Sequence, residues 1–87
     1  MDKLMRDSSF LKKIVQEIDY LLGLMGNETL ETFVENEERK RAASMTFLNI
    51  GELASKLSED FQKRNVDIPI RKIINLRHRG RAWISRA

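Results

Sequence analysis

Cysteine is absent from the 87 residues, so neither a disulfide nor thiolate chemistry is open to this chain. That usage suits a reducing compartment, and the expected location is the cytoplasm. Histidine occurs once, at His78, which excludes a histidine-rich metal centre. No metal or other cofactor is expected. No apolar run nears the roughly 20 residues of a membrane span, so no membrane role is expected. The opening MDKLMRDSS lacks the unbroken apolar segment of a signal peptide. No alternating strand pattern, internal repeat or low-complexity tract appears.

One further absence is local. All 13 acidic residues lie in 1–70, where ten basic residues leave a charge of −3. Residues 71–87 hold Arg71, Lys72, Arg77, Arg79, Arg81 and Arg86 and no acid, which brings the chain to +3. Such an end is either an electrostatic footprint for nucleic acid or a solvated terminus. Charge alone favours the solvated terminus. With 41% hydrophobic and 33% charged residues, the chain is globular and not disordered. A single domain of this size buries a modest core, so self-association or a partner is expected.

What is present is helical rhythm. Leu11, Ile14, Val15, Ile18, Leu21, Leu22 and Met25 recur at three- and four-residue steps and predict one apolar stripe. Asp7, Ser8 or Ser9 is a candidate cap for that helix, although Leu4 allows an earlier start, and Gly26 is a good stop. Asn27 is the expected cap of a short helix carrying Leu30, Phe33 and Val34, which bends into the next around Asn36 and Glu37. From Glu38 the pattern runs through Ala43, Phe47, Ile50, Ala54, Leu57 and Phe61, with Gly51 inside it. Glycine costs a helix about 1 kcal/mol against alanine, so Gly51 is expected to admit close approach of another helix. Asn49 and Glu52 read as an ordinary helix flank, with a site role as the weaker alternative.

After a polar break at residues 64–67, Pro69 is expected in the first turn of a helix bearing Ile70, Ile73 and Ile74. Arg77 is expected near that helix's C-terminal end, with Gly80 interrupting it. The predicted fold is all-α: an antiparallel helical bundle of two long helices and shorter connecting ones. Its Met and Phe residues are expected in the core.

The succession ETFVENEERKRAASMTFLNIGELASKLSEDFQ, followed by IPIRKIINLRHR, resembles the HepT-like proteins of the HEPN superfamily. These are toxin halves of MNT/HEPN toxin–antitoxin pairs. An acidic segment, a helix bearing RAAS and IGE, a polar turn and then IP-x-R follow in the family's order over residues 10–79. The resemblance implies a four-helix-type bundle that dimerises. It implies metal-independent RNA cleavage by an arginine followed, four to six residues on, by a histidine. The close form is Arg-x4-His-x-Tyr, whose tyrosine the nucleotidyltransferase antitoxin modifies with AMP. Imidazole moves protons near neutral pH, and guanidinium is a fixed, forked cation for the phosphate.

By position Arg77 matches the family arginine. The histidine position holds Ala82 and the tyrosine position Ile84. His78 adjoins Arg77 and would point about 100° away on a helix, so it reads as a solvated surface histidine and a poor substitute. The chain is therefore expected to be an inactive member of an RNase lineage. Arg77 would contact phosphate, and Arg71, Lys72, Arg79 and Arg81 would steer RNA. The implied partners are a second copy of the chain or a larger homo-oligomer, an MNT-type nucleotidyltransferase antitoxin, and RNA. A non-catalytic helical dimer, an antitoxin-binding module and a generic basic RNA binder remain as alternatives.

The resemblance runs to Arg79 and stops abruptly. Residues 1–79 form the expected helical domain, lacking the family's last helix, and residues 80–87, GRAWISRA, a basic tail unlike the family. Trp83 and Ile84 are expected to pack opportunistically. Removing one G from a Gly codon after CGT, with suitable codon choices, turns the tail into a family-like LRHRVAHGY. One inserted base is therefore a candidate origin for the tail, and natural divergence is the other.

Overall fold

The computed structural model describes residues 3–86, with side chains for residues 5–83. Its elements are α1 (Lys3–Met25), α2 (Leu30–Glu35), α3 (Glu37–Ser55), α4 (Glu59–Arg64), α5 (Ile70–Ile74) and α6 (Leu76–Arg86). The described residues contain no strand. The all-α expectation holds.

Helix boundaries follow local chemistry. α1 begins early, at Lys3, and ends where Gly26 takes a φ of +53°, a left-handed conformation that glycine adopts without strain. The cap of α2 is Thr29, not Asn27: its hydroxyl accepts from the Thr32 amide at 3.3 Å. Asn36 ends α2 and caps α3 by accepting from the Arg39 amide at 3.1 Å, which is the predicted bend. The pattern drawn through Phe61 is broken. Ser58 caps a separate α4, accepting from the Phe61 amide at 3.1 Å. Asp7 explains the break. Buried in α1, its carboxylate accepts from the Ser58 amide at 2.8 Å and the Ser58 hydroxyl at 2.6 Å. Asp7 therefore holds the α3–α4 corner and is not the cap of its own helix. Pro69 stands at the N-cap of α5, one position before the predicted first turn.

α3 is the centre: α1, α2, α5 and α6 all pack on it. The pairing of Asp7 with Ser58 and Glu17 with Asn49 makes α1 antiparallel to α3. Gly80 lies against Ser44 and Leu48, and Gly51 against Arg77, so α6 is antiparallel to α3 as well. Phe33, Ala43, Ile50, Ala54, Leu57 and Ile70 form the buried apolar core. Ser44 and Thr46 are buried with them, and each hydroxyl donates to a carbonyl four residues earlier at 2.8 Å.

The predicted α1 stripe divides. Leu11, Ile14, Leu21 and Met25 are half-buried, whereas Val15, Ile18 and Leu22 face solvent. The stripe is wider than α3 alone can cover. Met5 and Met45 are also exposed, so the Met positions are not uniformly core.

Candidate nucleic-acid interface

The site is built on the crossing of α3 and α6. A Cβ added to Gly51 would lie 2.7 Å from the Arg77 amide nitrogen and 2.8 Å from the Ile74 carbonyl oxygen. Only glycine lets the α5–α6 junction lie this close, as the sequence suggested. Gly80 repeats the device one crossing further on, where a Cβ would lie 2.5 Å from the Ser44 carbonyl oxygen. Two glycines thus seat the backbone of Arg77–Gly80 directly on α3.

This overturns the expectation at Gly80. It does not interrupt the helix; it is buried in the middle of α6, and Arg77 is the second residue of that helix rather than near the end of the preceding one. α5 ends earlier, at Ile74. The helix gains from close packing on α3 what it loses in glycine propensity. Trp83 extends the contact, with its ring edge-to-face with Phe47 at 5.5 Å between centroids and an interplanar angle of 71°. Trp83 thus packs as expected, and the side chain of Ile84 lies outside the described ones.

Around Arg77 the geometry gathers two cations on one acid. Glu52 Oε1 lies 3.7 Å from Arg77 Nη1 and 3.4 Å from Arg81 Nη2. Arg77 and Arg81 are one turn apart and share a face. Arg77 Nε is buried without a hydrogen-bond partner among the described residues. These ion pairs are partly exposed and contribute at most about 1 kcal/mol each. They gather the two guanidinium groups on one acid and add little to the stability of the fold.

The other predicted residues are not assembled with them. On a continuous helix of 3.6 residues per turn, a five-residue step turns about 140°, so Ala82 points away from Arg77. Ala82, His78 and Arg79 are all exposed, and they lie about 100–200° around α6 from Arg77. Arg71 and Lys72 are exposed on α5, and neither joins the Glu52 cluster. Glu52 joins the site through its weaker reading, not as an ordinary flank. It is 25 positions from Arg77, and no local spacing signals that meeting. Among the described residues no group of three or more His, Cys, Asp or Glu is placed to hold a metal. No helix among them is long and apolar enough to cross a membrane.

A family model described as Ribonuclease HepT-like matches residues 11–80. The chain belongs to the HepT-like ribonuclease family. Comparison with curated proteins and with solved structures gave no match. In this HepT-like chain the family match includes α3, the Gly51 crossing and Arg77, and ends at Gly80 within α6.

Proposed function

We propose that this HepT-like chain is the toxin component of an MNT/HEPN toxin–antitoxin pair, in a lineage that cleaves RNA without metal, and that this chain holds RNA without cutting it in the cytoplasm. Arg77 is the phosphate contact, Arg81 stands beside it, and Arg71, Lys72 and Arg79 add steering charge. One observation carries the loss of cleavage. The family's histidine position, five residues after Arg77, holds Ala82, and the sole imidazole, His78, is exposed next to Arg77 instead. No imidazole shares the face of the guanidinium pair. The test is cleavage of a transcript in chelator by this chain and by one carrying the alternate-frame tail. Brisk hydrolysis by the chain as it stands refutes the proposal.

The family match ends at residue 80, which is compatible with a reading-frame origin for the residues beyond it. Weighing the other way, the alternate frame puts valine in place of Gly80, where a Cβ meets the Ser44 carbonyl oxygen at 2.5 Å. A family-like tail therefore needs α6 to stand further from α3. Coding DNA around codon 80 decides the origin: a sequence that yields no histidine in the alternate frame ends the idea.

A second reading has its own support. Leu22, Leu30, Phe33, Val34, Phe47 and Trp83 are among the residues lining an apolar hollow of about 540 Å³. Leu22 and Leu30 are more than 60% exposed, so this surface suits a protein partner, either a second copy or the nucleotidyltransferase antitoxin. Sedimentation and pull-down of the antitoxin test it. A clean monomer that retains no antitoxin counts against both partners.

A further inference from the structure

The face of the bundle between α1 and α3 is polar where a helix–helix seam is ordinarily apolar. Lys13, Gln16, Glu17 and Tyr20 step along α1 by three, one and three residues and so share one face. Asn49, Glu52 and Lys56 step along α3 by three and four. Two hollows of about 400 and 440 Å³ open between these stripes. They adjoin, since Gln16, Glu17 and Asn49 line both.

Little in the fold explains these residues. Asn49 Nδ2 donates to Glu17 Oε1 at 3.5 Å, the outer limit of a hydrogen bond. The Gln16 amide and the Tyr20 hydroxyl make no hydrogen bond to another side chain among the described residues. Tyr20 is 53% exposed and lines the upper hollow together with Met45. Lys56 closes the lower hollow with its ammonium 5.9 Å from the Phe10 ring centroid.

Glu52 joins this groove to the arginines. It lines the lower hollow and also pairs with Arg77 and Arg81. A phosphate at Arg77 therefore has a base-sized groove beside it, lined by the groups that read bases. A carboxamide donates and accepts at a base edge, a carboxylate accepts from an exocyclic amine, and a phenol ring offers a stacking face.

We infer that the α1–α3 groove is a base-reading site for single-stranded RNA, with Asn49 and Gln16 hydrogen-bonding a base edge and Tyr20 supplying the stacking surface. The inference rests on the phosphate role proposed for Arg77, and the two are tested by different signals. The full chain, labelled with 15N, is titrated with ribose 5-phosphate and with each of the four nucleoside 5′-monophosphates. Ribose 5-phosphate is expected to move the amides of Arg77 and Arg81 alone. Nucleotides are expected to move Gln16, Tyr20 and Asn49 as well, in a pattern that differs between bases. Asn49→Ala, an exposed substitution that leaves the core intact, is expected to weaken the preferred nucleotide by about 5- to 100-fold and leave ribose 5-phosphate binding unchanged.

Identical groove responses to ribose 5-phosphate and to nucleotides overturn the inference. So does an absence of groove response, or groove shifts that follow protein concentration alone, which would mark a protein interface. Base-dependent groove shifts without a response at Arg77 uphold the groove and overturn the phosphate role.

Discussion

The two close crossings predict that one substitution, glycine to alanine, has opposite effects at different places in the same chain. At Gly51 helix propensity favours alanine by about 1 kcal/mol. Against that, the new Cβ would stand 2.7 Å from the Arg77 nitrogen and 2.8 Å from both the Arg77 Cβ and the Ile74 carbonyl oxygen. Two of these three atoms are backbone, and none is the free end of a side chain, so no rotamer change relieves the contact. Overpacking of this kind costs about 1–3 kcal/mol, more still when backbone must move. Because backbone must move here, the cost lies at about 2–3 kcal/mol, and subtracting the propensity gain leaves a net loss of about 1–2 kcal/mol. In a domain of this size that lowers Tm by roughly 5–15 °C. Gly23 is the control: it is exposed in α1, and nothing lies within 4 Å of its added Cβ. Gly23→Ala should raise stability by about 0.5–1 kcal/mol. Gly26→Ala should lower it by about 1 kcal/mol for a different reason, its φ of +53°. Thermal unfolding followed by circular dichroism at the helical band reads all three. A Tm for Gly51→Ala at or above that of the parent would refute the close α3–α6 crossing.

Other expectations follow from the same contacts. Asp7→Ala removes both carboxylate bonds to Ser58 and should cost about 2 kcal/mol, seen as a lower urea midpoint at unchanged slope; a loss below about 0.5 kcal/mol would contradict the corner role. Trp83→Ala should loosen α6 selectively, speeding amide exchange there and leaving α1 unchanged; uniform acceleration would mean that Trp83 supports the whole bundle. Glu52→Gln should change stability by less than about 1 kcal/mol, since its pairs are partly exposed. The same change should strengthen low-salt binding of single-stranded RNA, because Arg77 and Arg81 lose a competing anion. Weaker binding would instead make Glu52 a positioning group that the site needs.

Much of the local structure was legible because its causes are local. Gly26 ended α1, Asn36 made the bend, and Gly51 marked a close approach from its place within an apolar stripe. The errors share a cause as well. Asp7 was read as a cap because it stands near a helix start, yet its partner Ser58 is 51 residues away. Gly80 was read as a breaker because propensity penalises it, yet packing against Ser44 and Leu48 overrides that penalty. Glu52 reads as a flank because the arginines that meet it stand 25 and 29 residues further along the chain.

Composition and order alone determined the class of this protein: an all-helical domain without cysteine and with a one-sided basic end, belonging to the HepT-like ribonuclease family. Helical period and capping residues act over three or four positions, so a one-dimensional reading reaches them. Only the tertiary structure decided which side chains meet. It set Arg77 and Arg81 on Glu52, turned position 82 away from them, and opened the polar groove between α1 and α3. Those arrangements depend on how closely helices cross, and that closeness is set by atoms far apart in the chain.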